Sequence, residues 1–395
     1  KPGWQDRDRF VLSVGHASML LYSLLNLFGY DCSLDDISRF RQLGSRTAGH
    51  PEYGHLPGVE MTTGPLGQGV SSAVGFALGQ ALLAGKYNDA KHKVVNGRVW
   101  CLAGDGCMME GISSEAASLA GHLGLGNLTV VYDKNDISID GDTAITFGED
   151  VAARYQAYGW KVLKAGAYDQ PALAKAFEEA AASARQPTLI IARSVIGAGA
   201  ATLEGKAATH GAALGAAEVE ATKKKMGWTL PPFEVPQAVR DWCQARVAEK
   251  VKAYAAWEAD FGAWRAEEPA KAKAWDAQWA QAVDEAELLK AVEGMDKDVA
   301  ASRKHGGKIL NKLAGLMPWL VGGSADLTES TGVLLKDGGT AGWNQAGALE
   351  GRNIHFGVRE HAMAACLNGL NLHGAWRGFG ATFLQFADYM RPSIR

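Results

Sequence analysis

Cysteine is scarce in this chain: Cys32, Cys101, Cys107, Cys243 and Cys366 are scattered through 395 residues, odd in number and without a CxxC pair. That pattern argues against a disulfide framework or a cysteine-built zinc site and fits a reducing cytosol. Long apolar runs are missing too. The longest, Met19 to Phe28, contains Ser23 and Asn26 and falls well short of the roughly 20 residues that a membrane span needs. Neither sign of charge is in excess, since 40 Lys and Arg stand against 43 Asp and Glu for a net charge of -3. No general attraction for nucleic acid or an anionic membrane follows, and any anionic substrate must be met by local groups. Internal repeats and low-complexity tracts are absent. The first residue is Lys1 rather than Met, and Lys1 to Arg9 lacks the apolar region of a signal peptide. Ile394-Arg395 stops a helical pattern with no Gly, Asn or Pro after it. Both ends are therefore expected to be cut.

What is present is ordinary for a soluble globular protein: 47% hydrophobic and 21% charged residues, with a length that suggests two or three domains. From Lys1 to about Lys225, short β-branched runs alternate with longer Ala/Leu/Gly segments, which predicts a parallel sheet covered by helices. Strands are expected at Arg98 to Ala103, Leu128 to Asp133 and Pro187 to Val195, each running into a polar or glycine-rich turn. Ser113 to Leu123 reads as the helix of a βαβ unit between the first two. The carboxyl-end loops of that unit share one edge of the sheet, where ligands bind in open α/β folds.

From about Pro231 to Val299 the composition shifts to Ala, Lys, Glu and Trp, with Tyr254, Trp257, Phe261 and Trp264 at helical spacing. Such a stripe is more often a packing face than a ligand platform. A new α/β pattern starts near Ser302, with strands expected at Trp319 to Gly322 and Ile354 to Val358. The expected division is a first α/β region over 1–230, a helical connector over 231–299 and an incomplete second α/β region over 300–395.

Asp105 lies in a Gly-Asp-Gly segment after the first strand, and Asn135 follows the next one 30 residues later (135 − 105). A hard divalent cation takes oxygen ligands, so a carboxylate, an amide oxygen and the carbonyl of Ile137 could supply three of six positions. Alone, Gly-Asp-Gly is equally an ordinary turn, and Asn135 an Asx-turn residue.

The wider set of segments narrows the reading. Gly104-Asp105-Gly106-Cys107-Met108-Met109-Glu110-Gly111 followed by Tyr132-Asp133-Lys134-Asn135 resembles the thiamine diphosphate motif of transketolases. Gly49-His50-Pro51-Glu52, Val59 to Gly69, Gly322-Gly323-Ser324-Ala325-Asp326-Leu327 and Gly357-Val358-Arg359-Glu360-His361 also resemble transketolase segments, in the family's order. The likeness covers essentially the whole chain.

That resemblance implies thiamine diphosphate with Mg2+ or Ca2+ as cofactors, a diphosphate-binding first domain and a pyrimidine-binding second one. It implies transfer of a two-carbon ketol unit from xylulose 5-phosphate to ribose 5-phosphate, a place in pentose phosphate metabolism, and a cytoplasmic homodimer with sites shared between subunits. Carried over to this sequence, Asp105, Asn135 and Ile137 match the metal ligands, with Gly106 and Asn135 also at the diphosphate. Gly64, Pro65, Leu66, His16 and His210 match the cofactor lining. Glu360 matches the acid/base glutamate at the aminopyrimidine ring, with His210 also catalytic. Phe386 matches the aromatic stacked on that ring, with Phe383 and Tyr389 nearby; spacing alone would make these three a helix core face. His16, His50 and His210 match sugar-facing histidines, and Arg303 and Ser330 the substrate phosphate site. Glu110 and Glu115 match interface glutamates of a proton path, although acidic groups also suit a helix start.

Some positions depart from the family pattern. Val14, Ala48 and Ala213 replace more usual residues, and by the resemblance an early glycine-histidine-proline segment is expected before Lys1 and a carboxy-terminal domain after Arg395. A dihydroxyacetone synthase, a deoxyxylulose phosphate synthase, or a half-subunit idle without a separate carboxy-terminal chain remain alternatives.

Overall fold

The computed structural model describes residues 1–295, 299–345 and 347–395. Residues 296–298 of the expected connector and Ala346 of the expected second α/β region lie outside the described residues. Two compact units emerge: Lys1–Val70 with Val99–Ser114 and Gly126–Ala256, and Ser71–Arg98 with Glu115–Leu125 and Trp257–Arg395.

The first unit is built on a five-stranded sheet. Its strands are β1 (Arg9–Leu12), β2 (Val99–Gly104), β3 (Leu128–Lys134), β4 (Lys161–Gly166) and β5 (Thr188–Arg193), in the spatial order β1-β2-β3-β5-β4 and all parallel. Val99, Cys101, Leu128, Val130, Tyr132, Leu189 and Ile190 are buried, as expected for strands covered on both faces. Each fully buried large apolar side chain contributes about 1.5–3 kcal/mol. Because the strands are parallel, the ends of β1, β2, β3 and β5 open onto one edge.

The Gly-Asp-Gly segment after β2 is not a simple turn. Gly104 is an extended N-cap, and Asp105 opens a short helix, Asp105–Met109, followed by the helix Gly111–His122. A carboxylate suits that positive end, so the residue expected in a loop is held by regular backbone.

The second unit has a parallel three-stranded sheet, with β6 (Leu320–Ser324) between β7 (Asn353–His355) and β8 (Arg377–Ala381). Helix Glu360–His373 lies close to the Ser71–Tyr87 part of a longer helix. Trp376 Nε1 donates to the Gly79 carbonyl at 2.8 Å, and His373 and Gln80 are joined by a 2.7 Å side-chain hydrogen bond. The connector forms helices Gln237–Glu267, Pro269–Ala280 and Glu285–Val292. Within the second unit its aromatic stripe is a packing face: Trp257, Phe261 and Trp264 stack in sequence, and Trp264 and Trp275 meet Tyr87 edge-on. All five cysteines are buried free thiols. No described helix is long and apolar enough to cross a membrane.

Candidate active site

A cavity of about 1180 Å³ in the first unit collects His16, Leu66, Asp105, Gly106, Asn135, Ile137 and His210 along its walls. These residues come from the chain after β1, the Thr63–Gly67 segment, the ends of β2 and β3, and the loop beyond β5. They meet because the parallel sheet delivers its carboxyl ends to one place.

Asp105 is 3% exposed and accepts three hydrogen bonds. Tyr132 Oη donates to its Oδ1 at 2.6 Å, and the N–H groups of Asn135 and Asp136 donate to its Oδ2 at 3.2 Å each. Burial pushes its pKa up, with the Tyr132 and Asn135 bonds pulling the other way. A desolvated carboxylate of this kind is short of positive charge. Asn135 Oδ1 accepts the Ile137 N–H at 3.0 Å, so the Asx-turn is formed. One lone pair of that amide oxygen remains for another partner. With the Ile137 segment on the same wall, the donors are the oxygen types a hard divalent cation takes.

Gly106 brings the backbone close to Leu66: a Cβ there would stand 2.6 Å from Leu66 Cδ1, so a larger residue would push that side chain aside. The close approach leaves the start of the short helix bare against the cavity. His16 and His210 stack with ring centroids 4.6 Å apart. Burial, followed by the neighbouring His210 and His50, holds the His16 pKa at about 4. Burial lowers that of His210, whose Nδ1 is buried with no hydrogen-bond partner among the described residues. An orphaned ring nitrogen and a glycine cradle suit a polar ligand such as a diphosphate-bearing cofactor.

His50 is exposed, and its Cδ2 lies 3.5 Å from where a Cβ of Gly64 would be. Pro65, also exposed, and Gly64 are absent from the cavity wall, so of the Gly64-Pro65-Leu66 segment only Leu66 lines it.

The remaining candidates belong to the second unit. Glu360 starts the helix Glu360–His373. Arg359 does not pair with it as a surface ion pair: its guanidinium donates to the Phe356 carbonyl at 2.9 Å and to Ser118 Oγ at 3.1 Å. Glu115 Oε2 accepts the Ala362 N–H at 3.0 Å, and burial raises its pKa. Glu110, in the first unit, is exposed. Phe383, Phe386 and Tyr389 form a row with successive centroids 6.1 Å apart. The core face that their spacing suggests is not formed, since Phe383 and Tyr389 are 39% and 62% exposed. Arg303 and Ser330 are exposed on the helices Ser302–Leu316 and Thr328–Thr331.

Sequence reasoning missed Tyr132 and Asp136 as partners of Asp105. Tyr132 carried a usable signal, a hydroxyl at a buried position of β3; Asp136 carried none beyond its place beside Asn135.

Residues 1–283 match the family described as "Transketolase, thiamine diphosphate binding domain", and residues 298–395 the one described as "Transketolase, pyrimidine binding domain". Transketolases of Geobacillus stearothermophilus and Treponema pallidum are 47% and 48% identical to this chain, across all of it and 59% and 60% of their own length. A Pichia stipitis transketolase variant solved with fructose-6-phosphate superimposes with a TM-score of 0.95 at 40% identity, and the Leishmania mexicana transketolase with 0.91 at 39%. Each match covers 100% of this chain and 59% of the solved one. The chain therefore spans about three fifths of the relatives it matches. With both family matches following one another along the sequence and one α/β architecture shared with the solved structures, this chain belongs to the transketolase family.

Proposed function

We propose that this chain supplies the cofactor-binding part of a transketolase, moving a two-carbon ketol unit from a ketose phosphate such as xylulose 5-phosphate to an aldose phosphate such as ribose 5-phosphate. The observation that carries this reading is the cavity in which the buried Asp105 carboxylate, the Asn135 turn and the His16–His210 pair meet. Asp105, Asn135 and the carbonyl of Ile137 would hold Mg2+ or Ca2+, with Gly106 at the diphosphate and Leu66 against the ring system. Gly64 and Pro65 belong to the same segment. Thiamine diphosphate, when bound, supplies the thiazolium carbon to which the two-carbon unit attaches.

The protein's own groups bind, orient and move protons. His16 stays neutral near pH 7, because its pKa is held at about 4, so it can donate from one ring nitrogen and accept at the other. His210 Nδ1 is a free donor or acceptor for a sugar oxygen, and with His50 it would face the sugar. Glu360 would hydrogen-bond the aminopyrimidine ring and Phe386 stack on it, while Arg303 and Ser330 would take the substrate phosphate. The same reading takes 1–230 as a diphosphate- and metal-binding region, 231–299 as a connector and 300–395 as the start of a pyrimidine-binding region, in a cytoplasmic homodimer with shared sites in pentose phosphate metabolism; the thiamine diphosphate and pyrimidine family matches over 1–283 and 298–395 support its two-region core.

A coupled assay with xylulose 5-phosphate and ribose 5-phosphate on the complete protein tests this. Ketol transfer that requires both thiamine diphosphate and a divalent cation is expected. A protein that binds both but transfers nothing contradicts it.

A further inference from the structure

Asp136 sits in the left-handed region, with φ 59°, a conformation that Asp tolerates better than most residues. A left-handed residue lets successive N–H groups converge on one anion, and the N–H groups of Asn135 and Asp136 both reach Asp105 Oδ2 at 3.2 Å. The Asp136 carbonyl accepts the Thr143 N–H at 2.9 Å, which fastens the far side of the turn.

The Asp136 side chain is held from two strands. Lys134 Nζ donates to its Oδ1 and Arg193 Nη1 to its Oδ2. Lys134 ends β3, Arg193 ends β5, and the two are direct partners in the ladder. Two cations side by side at the end of a parallel pair repel; one carboxylate between them joins the turn to both strands. Arg193 is 60% exposed and Asp136 28%, so solvent screens the ion pairs and their value lies in geometry rather than in energy.

Resting on the cofactor reading above, we propose that Asp136, clamped by Lys134 and Arg193, is a positioning residue that fixes the turn whose N–H groups orient the Asp105 carboxylate toward the cation. None of the three touches the ligand in this scheme. They act through Asp105, as outer partners of a metal site act through its ligands.

Arg193→Gln separates positioning from bulk electrostatics. It removes one positive charge near the site, which by Coulomb attraction alone tightens cation binding. Loss of one arm of the clamp weakens it instead. Mn2+ affinity of the complete protein in the presence of thiamine diphosphate, read by electron paramagnetic resonance, is expected to fall about tenfold in Arg193→Gln. Arg193→Lys, which keeps the charge and one donor, is expected to recover most of the loss. Lys134→Gln removes the other arm and gives the same reading should Arg193→Gln fail to fold. Affinity unchanged or tighter in whichever of these glutamine variants folds overturns the proposal. Asp105→Asn is the control: if it binds Mn2+ as wild type does, the cofactor reading fails and this inference with it.

Discussion

The imidazole rings of His16 and His210 stack with centroids 4.6 Å apart and planes 27° apart. The pocket strips water from the rings, and two rings in that contact cannot both be charged cheaply. His16 accordingly titrates at about 4 instead of 6.5. Between those values the unfolded chain binds the proton and the folded chain does not, so stability declines as pH falls through this window. NMR titration is expected to keep the His16 ring signals flat from pH 8 down to about pH 5. A midpoint near 6.5 refutes the buried setting of the His16 ring.

Asp105→Ala removes the only buried carboxylate on the cavity wall among the described residues, and Asn135→Ala removes both the amide oxygen and the Asx-turn. Each is expected to lower metal-dependent thiamine diphosphate affinity by at least about 100-fold, since a hard cation loses an oxygen ligand. Calorimetry with and without Mg2+ measures it. Retained affinity in both variants removes the metal assignment.

In the second unit, His92 is clasped by two carboxylates: Nδ1 lies 2.6 Å from Asp260 Oδ1 and Nε2 lies 3.2 Å from Glu267 Oε2. Asp89 accepts the His92 N–H, and Lys91 also pairs with Glu267. The bond to Asp260 leads in raising the His92 pKa above 6.5. Its stabilisation is thus complete below 6.5 and is lost as pH rises through the raised value. The melting-temperature gap between wild type and His92→Gln should be widest near pH 6 and narrow toward about pH 9. A gap independent of pH means that the clasp is not ionic.

Gly75 allows two helices of the second unit to touch. A Cβ there would lie 1.9 Å from the Cys366 carbonyl oxygen, a backbone atom that cannot swing aside. Gly75→Ala is expected to cost about 3 kcal/mol or more, as overpacking that moves backbone does. Urea unfolding of the variant reports it. An unchanged midpoint shows that the helices are free to part.

Much of the first unit was legible because it is written in local periods. Strands β2, β3 and β5 fell within a residue or two of the β-branched runs, since a strand covered on both faces must read as a continuous apolar segment. That Asp105 and Asn135 share one edge was equally plain, because they follow neighbouring strands of a parallel sheet, whose carboxyl ends lie together. The start of a helix at Asp105 was not, as Gly-Asp-Gly serves a turn and a helix N-terminus alike.

Sequence by itself determined the parallel α/β class, the strands β2, β3 and β5 and the chemical kinds of group at their ends, while β1, β4 and β8 went unread. Tertiary structure decided which groups meet. It stacked His16 on His210 from opposite ends of the first unit, set Tyr132 and Asp136 on Asp105, and put Ser71–Arg98 and Glu115–Leu125 with the second unit rather than with their chain neighbours. It also left Phe383 and Tyr389 exposed where their spacing suggested a core. Periodicity records which face of an element is apolar; which partner that face or that side chain meets depends on crossovers and packing between segments far apart in the chain.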